Sequence, residues 1–331
     1  METRKLGASD LHVSTIIFGA WAIGGWMWGG AEESDAIEAI HASIDAGVTS
    51  IDTAAVYGYG VSEEIVAKAI KSKRDKVQLL TKYGLRWNAT EGEHHFTWTD
   101  KHGVKEVYKN ARKDSIIYEC ENSLRRLQTD HIDLYQCHWR DQTTPLEETM
   151  EAMNQLIKEG KVLAAGVSNF TADDIEAANK ICPIASDQPP YSMVLRDIEK
   201  DVLPFCHEHN IGVIVYSPLQ RGLLTGKFSP DSKFKDGDHR ASHLYFQPEN
   251  IRRVNSFLQK IKPIADKHNA SLAQLAVAWT IAQPGVTAAL VGARDAQQSK
   301  ENLKGAEIKL STDDLKEIRK ELESLELVAK S

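Results

Sequence analysis

The chain has 331 residues, 42% of them hydrophobic and 26% charged, with a formal net charge of -7. That length and composition suit one large soluble core, read here as a single domain over residues 1–331. The acidic balance gives no footprint for nucleic acid or anionic membrane, and no apolar run is long enough to span a bilayer.

Short apolar runs alternate with helix-period segments along the chain. Residues 4 to 13 read as a small N-terminal β-hairpin under the main fold. Thr15-Ile-Ile-Phe18 reads as a buried strand, and Glu33 to Ala46 as a helix with Ile37, Ile40 and Ile44 on one face and Gly47 past its end. Val48 to Asp52 is the next strand, followed by a helix carrying Ile65, Val66, Ala69 and Ile70. Val77 to Thr81 and Ile132 to Cys137 are strands, each followed by a helix, the first with Ile117, Cys120, Leu124 and Leu127, the second ending at Gly160. Leu163 to Val167, Ile184 to Asp187, Val213 to Tyr216 and Ala288 to Val291 complete the strands. Helices are expected at Ala172 to Lys180, at Ile198 to His209, and around Gln297 and Leu315.

Strands alternating with helices imply parallel βαβ connections, and eight units in this length imply a closed (β/α)8 TIM barrel. Phe18-Gly19-Ala-Trp-Ala-Ile-Gly24-Gly25 lacks the spacing of a dinucleotide-binding glycine fingerprint. Two stretches, 83 to 112 and 217 to 248, read as long polar loops over the C-terminal mouth. Met1-Glu-Thr-Arg-Lys5 has no signal-peptide core, and Cys120, Cys137, Cys182 and Cys206 have neither zinc nor redox spacing. Buried thiols in a cytoplasmic protein are expected.

A barrel gathers the C-terminal ends of its strands into one mouth. Asp52, Lys82 and His138 each finish an apolar run, and Tyr57 follows Asp52 by five residues. A phenol is a proton donor near neutrality, and a carbonyl accepting hydride needs one. An ammonium at about 4 Å contributes roughly 4 kcal/mol toward phenolate formation at intermediate dielectric. Asp52 would keep Lys82 charged, and His138 would orient a carbonyl oxygen.

Gly47-Val-Thr-Ser-Ile-Asp-Thr-Ala-Ala-Val-Tyr-Gly58, Leu124 to His138 and Gly166-Val-Ser-Asn-Phe170 carry a specific resemblance. In these motifs the chain resembles the aldo-keto reductases, nicotinamide-dependent carbonyl reductases on the eight-stranded barrel. Ala20-Trp-Ala-Ile-Gly-Gly25, Met27-Trp-Gly-Gly30, Gln188-Pro-Pro-Tyr191 and Arg221-Gly-Leu-Leu-Thr-Gly-Lys227 look most like the bacterial general-stress and inositol-operon branch. The resemblance implies a proton-relay tetrad of Asp52, Tyr57, Lys82 and His138, with Tyr57 as the acid. It implies that Ser168, Asn169 and Gln188 meet the nicotinamide carboxamide and that Tyr216 stacks on its ring. Ala20, Trp21 and Asp52 would also touch the cofactor. Ser217, Leu219, Arg221, Gly222 and Lys227 would hold the pyrophosphate, and Gly292, Ala293, Arg294, Gln298, Glu301 and Asn302 the adenosine end.

Better-known members of the family carry Lys where Gly292 falls and Arg where Gln298 falls. Arg294 is the remaining cation, so NADP(H) is the expected cofactor, with NAD(H) possible. Arg140 stands where relatives commonly have Pro; it either attracts an anionic or polar substrate or salt-bridges Asp141. Substrate contacts are expected from Trp21, Trp26, Trp28, Tyr57, His138 and Trp139, with His94, His95, Phe96 and Trp98 in the long loop beside them. No metal is needed, since the phenol supplies the proton. The expected partner is a small carbonyl or sugar, and the oligomeric state is open. The expected reaction is NADPH-dependent reduction of aldehydes and ketones. Oxidation of sugars or polyols, or a cofactor-sensing role like that of channel β subunits, are the alternatives.

Overall fold

The structure, a computed structural model, describes residues 1–25, 31–100, 103–234 and 238–328. β1 (Thr3–Lys5) and β2 (His12–Ser14) pair as an antiparallel hairpin. Then come β3 (Ile16–Gly19), α1 (Glu33–Asp45), β4 (Ser50–Asp52), α2 (Val61–Ile70) and β5 (Gln78–Tyr83). β6 (Leu85–Arg86), β7 (Glu93–Asp100) and β8 (Gly103–Lys109) precede α3 (Lys113–Leu127). β9 (Ile132–Cys137), α4 (Leu146–Lys158), β10 (Val162–Ser168), α5 (Ala172–Asn179), β11 (Ile184–Gln188), α6 (Val202–Glu208) and β12 (Gly212–Val215) continue the alternation. α7 (Pro248–Lys267), α8 (Leu272–Ile281), β13 (Ala288–Val291), α9 (Ala296–Leu303) and α10 (Thr312–Glu323) complete it.

Eight parallel strands close in the order β3-β4-β5-β9-β10-β11-β12-β13, with β13 pairing back onto β3. Their sequences are nearly continuous apolar runs because both faces are covered, one by the barrel interior and one by helices. β9 is buried at every residue. The lower interior is apolar: Ile17, Leu80, Leu134, Ile214 and Leu290 pack with Leu6, Leu11 and Val13 of the N-terminal hairpin. Leu6 is fully buried, which stabilises the closure by about 1.5–3 kcal/mol. Above this layer the interior turns polar, with Asp52, Lys82, Gln136 and Gln188 all buried.

Three expectations change. Residues 83–112 are not one long loop; they hold the antiparallel sheet β6-β8-β7. Its polarity reflects exposure, and its period is two, not that of a helix. The helix expected from Ile198 to His209 is a 3-10 turn, Asp197–Glu199, followed by the shorter α6, which Asp201 starts by accepting from the Val202 N–H. Between β12 and β13 stand two further helices, α7 and α8, beyond those expected. α8 is buried from Gln274 to Ile281, so it has no amphipathic stripe to read. Residues 217–248 remain largely irregular, with short 3-10 turns at Gln220–Thr225, His239–Ser242 and Leu244–Phe246.

Candidate active site

Asp52 is the last residue of β4, and Lys82 stands one residue before the end of β5. Parallel register sets β4 beside β5, so the two side chains meet inside the upper barrel. Lys82 Nζ donates to Asp52 Oδ1 at 2.5 Å, to the Thr53 carbonyl at 3.0 Å and to Tyr57 Oη at 3.4 Å. The three donors of the ammonium are thereby used. The other carboxylate oxygen of Asp52 accepts from Gln136 Nε2 at 3.1 Å and Gln188 Nε2 at 2.9 Å. Burial lowers the Lys82 pKa, and the Asp52 carboxylate opposes that shift.

Tyr57 sits on the 3-10 turn Tyr57–Gly60 after β4. The turn needs Gly58: its φ is 63°, and a Cβ there would collide with the Gly24 carbonyl. Burial, and then the Asp52 charge, push the Tyr57 phenol well above its ordinary value, so it is held protonated. His138 follows β9, donates its N–H to the Tyr83 carbonyl at 2.9 Å, and packs its ring edge-on to Tyr57 at 5.8 Å. Burial, then Lys82, then His95 keep its imidazole well below the ordinary histidine range, hence neutral. A phenol beside an ammonium, with a neutral imidazole across from it, can deliver a proton to an oxygen held between them.

The cofactor residues named from the resemblance line one cleft of about 1110 Å³ that starts at this tetrad. That volume is slightly above the range of ordinary ligand pockets, roughly 300–1,000 Å³. Ala20, Trp21 and Trp139 line the tetrad end. Ser168 donates to the Gln188 carbonyl at 2.7 Å, Asn169 Nδ2 donates to Ser168 Oγ at 2.9 Å, and Tyr216 Oη donates to Asn169 Oδ1 at 2.8 Å. Gln188 Nε2 is committed to the interior, to Asp52 and Gln136.

Further along stand Ser217, Leu219, Arg221, Gly222 and Lys227. Ser217, Gln220 and Arg221 have φ values of 59°, 45° and 56°, a run of left-handed residues of the kind found at ligand-holding turns. At the far end, Asn302 Nδ2 donates to the Gly292 carbonyl at 3.1 Å, and Gln298 Oε1 accepts from the Arg294 N–H at 2.8 Å. Glu301 accepts from Gln274, and Ala293 lies between Gly292 and Arg294 in the wall. A Cβ at Gly292 would stand 2.9 Å from the Gly19 carbonyl, so the closing of β13 onto β3 leaves little room for a side chain there. The donor set fits a dinucleotide: amides beside the tetrad, then Arg221, Lys227 and Arg294 along the cleft.

Several residues fall elsewhere. Arg140 does not line the cleft, and it does not salt-bridge Asp141. Its guanidinium donates to the Asp141 and Thr144 carbonyls and stands 3.9 Å from Asp174, while the Asp141 carboxylate accepts from Thr143, Thr144 and the Ala111 N–H. Arg140 therefore braces the turn after β9. His94 is exposed and bonds Thr97, and Trp98 packs behind the cleft against Val56 and Leu85 with their neighbours. Trp26 and Trp28 lie outside the described residues. Sequence reasoning missed Gln136, which looks like an ordinary strand residue, and Arg240, whose loop carries no pattern that places it beside Arg294. Arg294 is half-buried, and burial followed by the nearby Arg240 lowers its pKa, with Asp238 opposing.

The aldo/keto reductase family profile covers residues 15–323. Aldo-keto reductase YhdN of Bacillus subtilis (strain 168) is 39% identical, over 98% of this chain and 94% of its own. The NADH-specific methylglyoxal reductase of Escherichia coli (strain K12) is 36% identical, over 98% and 100%. The solved glycerol dehydrogenase of Gluconobacter oxydans is 37% identical, with a TM-score of 0.87 over 98% of this chain and 95% of that one. Fold and matches together define an NAD(P)H-dependent oxidoreductase on a (β/α)8 barrel. The chain belongs to the aldo/keto reductase family. No helix among the described residues is long and apolar enough to cross a membrane.

Proposed function

We propose that this protein reduces small aldehydes and ketones with NADPH, and that Tyr57 is the proton donor. The observation that carries the reading is the buried chain from Asp52 through Lys82 to Tyr57, opening on a dinucleotide-sized cleft. NADPH, when bound, supplies the hydride. Tyr57 gives its proton to the developing alkoxide, and Lys82 stabilises the phenolate left behind. Asp52, fixed by Gln136 and Gln188, keeps Lys82 charged. Neutral His138 holds the carbonyl oxygen against Tyr57.

Ser168, Asn169 and Gln188 orient the nicotinamide amide, and Tyr216 packs on its ring. Ser217, Leu219, Arg221, Gly222 and Lys227 hold the diphosphate. Gly292, Gln298, Glu301 and Asn302 shape the adenosine end, where Arg294 and Arg240 favour a 2'-phosphate. Trp21 and Trp139 wall the substrate. The setting is cytoplasmic, in keeping with four buried free thiols.

A second reading, oxidation of a polyol in the reverse direction, is favoured by the likeness to the Gluconobacter oxydans glycerol dehydrogenase. A carbonyl panel assayed with NADPH and NADH in parallel, with alcohols in the reverse direction, tests both. NADPH oxidation by aldehydes is expected. Tight NADPH binding with no oxidation by any carbonyl would overturn the reductase reading in favour of cofactor sensing. Faster turnover with NADH, as the name of the Escherichia coli relative states for that protein, would overturn the cofactor assignment.

A further inference from the structure

β7 and β8 pair with a break in register. His94 faces Tyr108 and Phe96 faces Val107, so His95 is an extra residue with no cross-strand partner. Consecutive strand residues ordinarily point to opposite faces, and a bulge cancels that alternation and re-aims a side chain. Here His95 and Phe96 both line the cleft at the tetrad end. The His95 ring packs 5.1 Å from Phe96 and 5.2 Å from Trp139, and it lies close enough to His138 to disfavour protonation there.

The cleft wall beside His95 is apolar, lined by Leu85, Phe96 and Trp139, while His138 and the charges of Lys109 and Glu93 lie within electrostatic reach. It is half-buried, and neither ring nitrogen has a hydrogen-bond partner among the described residues, whereas its neighbour His94 bonds Thr97. Burial, and then Lys109, push its pKa down to about 4, so the imidazole is neutral and offers one donor and one acceptor. A half-buried polar group in an apolar wall is satisfied by a ligand oxygen and left wanting by an alkyl chain. Sites built this way discriminate strongly against analogues that lack the oxygen.

We infer that His95 forms a substrate subsite that hydrogen-bonds a second oxygen, a hydroxyl near the reacting carbonyl, and so selects hydroxyaldehydes and hydroxyketones over plain alkyl carbonyls. This rests on the carbonyl-reductase reading above. The bulge is the device that brings the imidazole to the mouth.

The test compares glyceraldehyde with propanal, using the full chain with NADPH. The readout is the ratio of their kcat/KM values, which cancels any loss of folded enzyme. His95→Phe keeps a ring against Trp139 and removes both nitrogens; the ratio should fall about tenfold, the size of one unmade hydrogen bond. His95→Gln, which retains a donor and an acceptor, should recover most of it. A ratio in His95→Phe within about twofold of the wild type overturns the subsite alone. A wild-type enzyme that reduces neither aldehyde overturns the underlying reductase reading.

Discussion

Lys82 links the two halves of the site, a carboxylate below and a neutral phenol above. Its side chain is fully buried, and breaking such a pair by removing one partner leaves an uncompensated charge, at a cost of about 3–5 kcal/mol. The phenol it serves is the sharper probe of mechanism. Tyr57→Phe should lose roughly 10²–10⁴-fold in kcat while cofactor binding, read by fluorescence titration, stays near wild type. Near-normal turnover would remove Tyr57 as the donor. Arg294→Ala should reduce kcat/KM for NADPH about tenfold more than for NADH, since only the former offers a phosphate to pair. An equal effect on both would show that Arg294 does not discriminate. His138 gives a pH signature. Its native pKa lies well below 6.5 through burial first, then Lys82 and His95. As pH falls from about 6.5 toward that native pKa, the unfolded chain takes up a proton that the native state refuses, so stability falls. Melting temperatures from about pH 7 to 5 should fall less steeply in His138→Gln than in wild type.

At the scale of elements, the sheet β6-β8-β7 is the part of the mouth that the chain adds to the bare barrel. Apolar and polar residues alternate over Phe96-Thr-Trp-Thr99 in β7, but short polar strands flanked by glycines look like loop when read for helical period. Register, and with it the bulge at His95, comes only from the pairing. Gly92, just before β7, has a φ of 100°, and a Cβ there would run into the Lys109 carbonyl. Gly92→Ala should loosen the sheet and raise the KM for carbonyls several-fold, with a smaller change in cofactor affinity. An unchanged KM would detach the sheet from substrate binding. α8 shows the opposite failure: it is buried from Gln274 to Ile281, and a buried helix has no polar face to mark it.

Across the whole molecule, the barrel has an apolar floor and a polar ceiling, which separates the parts that hold it closed from the parts that do chemistry. Gly7 lies at the floor with a φ of 55°, where a Cβ would stand 2.5 Å from the Ala185 carbonyl and 2.8 Å from the Asn210 carbonyl and the Gly212 nitrogen. Gly7→Ala should destabilise the fold by about 3 kcal/mol, through clash and left-handed strain, while the tetrad at the other end is untouched. Its midpoint in urea should drop without a matching loss of kcat in the protein that remains folded. A wild-type midpoint would show that the N-terminal hairpin is not a structural floor.

The barrel strands, the β-then-α alternation and the ends on which Asp52, Lys82 and His138 sit were legible in the sequence. Each is a local property of residue type and period, and a closed parallel barrel brings strand ends together whatever the intervening chain. Gln136 in the Asp52 network, Arg240 beside Arg294, Arg140 turned onto backbone carbonyls, and His95 re-aimed by a bulge were settled only by the tertiary structure. Period reveals which face a side chain takes. Which partner it meets there depends on register and closure, and these are set by contacts between segments far apart in the chain.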